Sequence, residues 1–250
     1  MDWLQEFIYV LSIILEAFIL YLILKHKQYH LCKLFFFYIF FLWIPSIFFL
    51  IFWDTLYRSN MSGSYILLYL FAVNNHLHNL LKFGIIYEMY MKIYRPYPGA
   101  RTIILPFLIL TLPLLFYYLL TVQSFSGLGL VWNIAMELDS RIILVITLQF
   151  IVIAGGVFFF NLKIHRTLKL IILGFLVYQG PRSINLLLAT FYAGKSNEFI
   201  SHMHEFKIVS YIHQFWIIPV LLIWIWAYFP VKKPEKVLPG SEIALQKEVH

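Results

Sequence analysis

Apolar residues fall into seven runs along the chain: Phe7 to Leu24, Leu34 to Trp53, Ser64 to Met91, Thr102 to Thr121, Arg141 to Phe160, Leu168 to Tyr192 and Ile208 to Phe229. A helix rising about 1.5 Å per residue lets each run cross a hydrocarbon layer of about 30 Å. The last run gives way to a segment with three prolines and mixed charge, Pro230 to His250. The pattern predicts an all-α fold: a polytopic membrane protein whose seven-transmembrane-helix bundle occupies residues 1–229, with a flexible tail over 230–250. Seven spans and their connections leave no room for a separate soluble catalytic domain, so function must reside in the bundle.

Charge sets the orientation. Lys25, Lys27, Lys33, Lys92, Arg95, Arg101, Lys163, Arg166, Lys169 and the tail lysines Lys232, Lys233 and Lys236 fall on one side of the alternating connections. Only Arg58, Arg141, Lys195 and Lys207 fall on the other. The positive-inside rule then puts the N-terminus outside and the C-terminus in the cytoplasm, as an odd number of crossings requires. Asp2 and Glu6 precede the first run in place of a basic leader, so that run reads as a retained anchor. Trp3, Trp53, Tyr57, Tyr94, Tyr97, Trp132 and Tyr228 stand near run ends, where amphipathic rings favour the headgroup zone.

Composition agrees: the 250 residues are 62% hydrophobic and 12% charged, with mean hydropathy +0.81, against roughly half apolar and about a quarter charged in a soluble domain. The net charge of +7 lies in short clusters beside apolar runs, which suits anionic lipid headgroups and not nucleic acid. No internal repeat or inverted symmetry of the kind found in secondary transporters is visible.

Polar residues inside the runs carry the functional signal, because a bilayer penalises them unless they face protein or water. Asn75, His78, Asn79 and Lys82 fall within about 100° of arc on the third run, forming one stripe. Gln179, Arg182, Ser183 and Thr190 share a face of the sixth, and Lys207, Ser210, His213 and Gln214 a face of the seventh. Glu16 and Lys82, at or below the midplane, are expected to form a buried ion pair. That would leave Arg182 without an acidic partner inside the bundle, and an unpaired guanidinium invites an anion. Two readings follow. The stripes line an outward-facing pocket for a small anionic or amphiphilic ligand, built from Asn75, His78, Asn79, Gln179, Arg182, Ser183, His213 and Gln214; or the same groups hydrogen-bond between helices and specify packing alone.

Other chemistry finds less support. His76 and His78 point about 200° apart on a helix, whereas His202, His204 and His213 are weak candidates for a zinc or copper site. His78 and His213 could be axial ligands of a haem or pigment, but ordinary buried histidine accounts for them as well. Cys32 is the only cysteine, so no intramolecular disulfide or cysteine-built metal site can form. Ile208 to Phe229 has no lysine for a retinal Schiff base. Ser183, Ser210 and His213 lack a positioned acid, so an intramembrane metal-dependent hydrolase is a distant alternative. The sequence requires no cofactor.

The third run ends in Tyr87-Glu88-Met89-Tyr90-Met91-Lys92-Ile93-Tyr94-Arg95-Pro96-Tyr97-Pro98-Gly99-Ala100-Arg101. Glu88 and Lys92 form an i,i+4 pair, Lys92, Arg95 and Arg101 can reach lipid phosphates, and the prolines and glycine turn the chain. This loop, with Glu88, Lys92, Arg95 and Arg101, is also the surface expected to meet a cytoplasmic partner. The segment resembles the tyrosine-glutamate helix end and Arg-Pro-Tyr-Pro-Gly loop of a large family of uncharacterised bacterial seven-helix membrane proteins, and Glu137-Leu138-Asp139-Ser140-Arg141 is similar to that family's Glu-to-Arg spacing. The resemblance implies a multi-pass protein of the bacterial inner membrane and supplies no activity. A fainter echo of G-protein-coupled receptors at Glu88 to Pro96 reads as convergence, since the seventh run has no Asn-Pro-x-x-Tyr element. The leading expectation is a non-enzymatic, receptor-like or small-ligand-binding protein. The alternative is an accessory subunit of a larger bacterial membrane complex, contacting membrane-protein partners, lipid, haem or pigment through its many aromatic residues.

Overall fold

Long apolar stretches with few chain breakers leave the backbone one economical way to satisfy its own hydrogen bonds, the helix. The computed structural model describes residues 3–58, 61–120, 130–193 and 216–230, and among them there is no strand. The helices are α1 (Trp3–Lys25), a single 3-10 turn (Gln28–His30), α2 (Lys33–Arg58), α3 (Met61–Tyr94), α4 (Pro98–Leu120), α5 (Leu130–Phe159) and α6 (Arg166–Ala193). A further helical segment, α7, covers Trp216–Tyr228. The expected all-α class is therefore observed. Among the described residues two helices are long and apolar enough to cross a membrane, α1 over Glu6–Lys25 and α5 over Ile142–Phe159. Shorter apolar helical stretches cover Lys33–Phe48, Pro98–Pro113 and Trp216–Tyr228.

Local chemistry explains several ends. Pro98 opens α4 where a missing N–H costs nothing. Asn161 closes α5 in the left-handed region at φ 48°; Leu162 N–H reaches Val157 O (3.0 Å) and Asn161 N–H reaches Phe158 O (3.1 Å), the paired bonds of a Schellman stop. α5 starts at Leu130, well before the apolar run at Arg141, because Glu137 and Asp139 interrupt apolarity without interrupting the helix.

α1 packs along α2 and α4 along α5, while α2, α3, α5 and α6 pack in the order α2–α3–α5–α6. α7 joins α6 back to α2 through an aromatic plate of Phe35, Tyr38, Phe150, Phe175 and Trp224, all fully buried or nearly so. Phe150 stacks on Phe175 at 4.6 Å, Trp224 meets both Phe35 and Phe175 at 5.1 Å, and Tyr38 meets Phe175 at 5.3 Å. Each such pair adds about 0.5–1.5 kcal/mol beyond the area it buries. The plate lies near one end of the bundle, where Phe35 also stacks on Tyr228 at 6.0 Å and Thr167 donates to Ala227 O at 3.0 Å. Lys25, Lys27, Lys33, Lys92, Arg95, Lys163 and Arg166 flank the same connections, so the basic residues gather at that end.

Two glycines let the plate and its surround close. The Trp224 indole lies directly on Gly174 and donates Nε1–H to Ile171 O at 3.4 Å. Gly156 admits the Tyr94 hydroxyl, which donates to Ile153 O at 2.6 Å, and Ile104 of α4. A methyl at Gly174 would overlap an indole that is 1% exposed and has nowhere to go. Gly174→Ala is therefore expected to lower the Tm in detergent by about 5 °C, whereas Gly155→Ala, with open space at its Cβ position, should leave it unchanged or slightly raised; differential scanning fluorimetry reads both.

Candidate functional site

The polar groups begin where proline breaks the helical ladder. Proline has no N–H, so the carbonyl four residues earlier loses its donor. Pro45 lies inside α2, and the carbonyl it frees, Phe41 O, takes a hydrogen bond from His78 Nε2 of α3 at 3.0 Å. A carbonyl only accepts, so Nε2 must carry the hydrogen. One residue further, Ser46 donates to Leu42 O at 2.8 Å and Tyr9 of α1 donates to Ser46 O at 2.8 Å. Pro181 does the same inside α6: the carbonyl it frees, Val177 O, takes the Trp216 Nε1–H of α7 at 2.8 Å. Both freed carbonyls are thus served by a side chain from a neighbouring helix, whereas among the described residues no such donor meets the carbonyls before Pro106 and Pro113 of α4.

A set of buried polar groups adjoins the aromatic plate and extends along α6 away from the basic end. On α3, Asn79 and Lys82 are buried, and Lys82 Nζ donates to Asn79 Oδ1 at 3.2 Å. The same ammonium stands 5.7 Å from the Tyr178 ring of α6, a cation–π contact that favours a desolvated charge. Next to Tyr178, and one turn beyond Phe175 of the plate, Gln179 is wholly buried with neither its Oε1 nor its Nε2 hydrogen-bonded. Burying an amide unsatisfied costs about 1–3 kcal/mol. One turn on, Ser183 shares a 2.7 Å hydrogen bond with Thr147 of α5; Gln149 donates to Thr111 of α4 at 2.9 Å, leaving its Oε1 unpartnered. Glu16 of α1 is buried, with Oε2 lacking a hydrogen-bond partner. The contacts described for Lys82 go to Asn79 and Tyr178, while Glu16 belongs to the helix that packs along α2.

At the basic end, Glu88 of α3 caps the start of α2. Its carboxylate accepts the N–H of Lys33 (2.9 Å) and of Leu34 (2.9 Å), two donors that the first turn of a helix always leaves open, and it sits at the positive pole of the helix dipole. The Cys32 thiol adds a third contact at 3.4 Å. Lys92 pairs with Glu88 at 2.9 Å and donates to the carbonyls of His30 and, at 2.7 Å, of Leu31. The i,i+4 pair thus clamps the α1–α2 connection from both polarities. Beside it opens a groove of about 550 Å³, walled by Leu34, Tyr87, Met91 and Pro96 and edged by Glu88, Lys92 and Arg95. Burial and the neighbouring Glu88 carboxylate push the Cys32 thiol well above its ordinary range.

Of the pocket residues expected from sequence, the structure buries Asn79, Gln179 and Ser183, half-buries Asn75 and His78 on the same α3 stripe, and commits His78 Nε2 to a backbone carbonyl. Arg182 lies on α6, its side chain outside the described residues, as do His202, His204, His213 and Gln214 altogether. Among the described residues no three His, Cys, Asp or Glu side chains converge to hold a metal. Arg101 is exposed on the first turn of α4. Thr111, Thr147 and Trp216 were not singled out from sequence; the prolines were the available signal for Trp216, since each freed carbonyl demands a donor from elsewhere. No protein-family model, curated protein or solved structure matches the chain.

The clamp makes two predictions. Glu88→Ala, by uncapping α2, should cost about 2 kcal/mol and lower the Tm by about 4–8 °C, with Lys92→Ala milder. Cys32 in the folded protein should react slowly with a maleimide near neutral pH, and Glu88→Ala should speed labelling about tenfold by removing both the carboxylate and the closure around the thiol.

Proposed function

We propose that the chain spans the cytoplasmic membrane of a bacterium seven times, N-terminus outside and C-terminus inside, as a non-enzymatic, receptor-like protein that binds a small ligand from the outer side. Support for membrane immersion comes from large apolar side chains such as Ile14, Val73, Leu80 and Leu110, each more than half exposed on helix surfaces, where water would penalise a continuous apolar coat. The gathering of basic residues at one end supports the orientation. The resemblance of the α3–α4 segment to uncharacterised bacterial seven-helix proteins belongs to the same reading.

The observation that carries ligand binding is Gln179, fully buried with a donor and an acceptor both unanswered, next in the chain to Tyr178, whose ring the buried Lys82 of α3 approaches. The aromatic plate fills the bundle on its basic side, so access to this layer would come from the outer side. A ligand presenting both a hydrogen-bond acceptor and a donor would answer the amide, and an anionic group would suit Arg182, one turn further out on α6. Mere packing gives no reason to keep Gln179, because an unanswered amide destabilises the bundle.

The test is native mass spectrometry of protein purified from its own membrane in mild detergent, beside Gln179→Leu and Arg182→Gln. The reading predicts a small-molecule mass that leaves in both variants while Gln179→Leu unfolds at the same temperature or higher. Gain of stability without any mass change would assign the polar layer to packing. Stoichiometric polypeptides in the particle would favour the accessory-subunit reading instead.

A further inference from the structure

From the groove at the basic end we infer a binding site for one anionic phospholipid of the inner leaflet, its phosphate on Arg95 and an acyl chain along Tyr87, Met91 and Leu34. The site rests on the reading of the chain as membrane-spanning with this end inside. Its volume, about 550 Å³, exceeds what a bare phosphate needs, and its wall is mostly apolar. Tyr87 is 65% exposed on that wall, an orientation that suits lipid and not water.

Charge selects the lipid class. Glu88 contributes the groove's one carboxylate, and that charge is consumed by two backbone N–H groups and Lys92. Lys92 in turn is spent on Glu88 and two carbonyls. Arg95 is exposed, and among the described residues no carboxylate or carbonyl takes its guanidinium. Lys33 stands exposed at the Glu88 end of the same edge. The groove therefore presents a free planar cation beside an apolar trough, the complement of a phosphate ester carrying a hydrocarbon chain. Basic pockets at the cytoplasmic ends of membrane helices recognise anionic headgroups in this way. The clamp gives the site its rigidity, since α3 and the start of α2, which form its two sides, are tied by Glu88.

The experiment uses the full-length protein in micelles containing equal amounts of a phosphatidylglycerol and a phosphatidylcholine with identical acyl chains, read by native mass spectrometry as the detergent activation is raised. The expected result is one phosphatidylglycerol retained over phosphatidylcholine by about fivefold, the scale of one cation at a membrane surface. Arg95→Gln should bring the ratio to about one without lowering the Tm of the delipidated protein, and Lys163→Gln, at the same end but away from the groove, should keep it. Equal retention of both lipids, or selectivity that survives Arg95→Gln, overturns the site and leaves the groove to a protein partner. Flotation of the same preparation with vesicles separates the two levels: failure to insert overturns the membrane reading and the site with it, whereas insertion with equal lipid retention overturns the lipid site alone.

Discussion

A backbone carbonyl stripped of its donor needs another where water is scarce, and at two of this bundle's in-helix prolines a side chain from a neighbouring helix supplies it. Pro45 and Pro181 each delete one N–H from the middle of a helix. The freed carbonyls draw in His78 and Trp216, from α3 and α7. Those bonds tie α3 to α2 and α7 to α6, so a local deficit becomes a tertiary contact. The same logic operates at the ends: Glu88 takes the open N–H groups of α2, and Lys92 takes the carbonyls just before it.

Once those pairings are set, the interior divides into two layers with different work. The aromatic plate around Phe175 and Trp224 fills the basic end with interlocked rings. Adjoining it, α1, α3, α5 and α6 each bury polar groups, and not all of these are paired. Thr147 and Ser183 satisfy each other, but Gln179 and one oxygen of Glu16 do not find partners. Single buried groups on Trp43, Tyr90, Gln149 and Tyr228 also lack partners, but among the described residues Gln179 is the one amide with both its oxygen and its nitrogen unanswered. That contrast is what directs the proposed function to this layer.

Much of this was legible in one dimension. Helical periodicity placed Asn75, His78, Asn79 and Lys82 on one face, and the structure keeps them on one stripe of α3. The i,i+4 relation of Glu88 and Lys92 was also readable, as a local pair. Their work as a clamp was not, because it depends on α3 passing the start of α2, far away in the chain. For Glu16 periodicity gives a depth in the bundle, and its pairing with Lys82 stays an expectation; the structure adds that α1 lies along α2. The start of α5 was missed for a different reason. Apolar-run reading tracks lipid compatibility, and Glu137 and Asp139 end the run while the helix goes on.

The dependence of the bundle on proline-freed carbonyls is tested most directly by a double-mutant cycle between Pro45 and His78, read as unfolding free energy in mixed micelles. With proline in place, His78→Ala should cost about 1–2 kcal/mol, because the half-buried Phe41 O is left without a donor. With Pro45→Ala the restored N–H takes that carbonyl, and the same histidine change should cost less by about 1 kcal/mol, a coupling outside the scatter of independent sites. Equal costs in the two backgrounds would contradict the account, and would mean that His78 is held in place by something other than the carbonyl that Pro45 sets free.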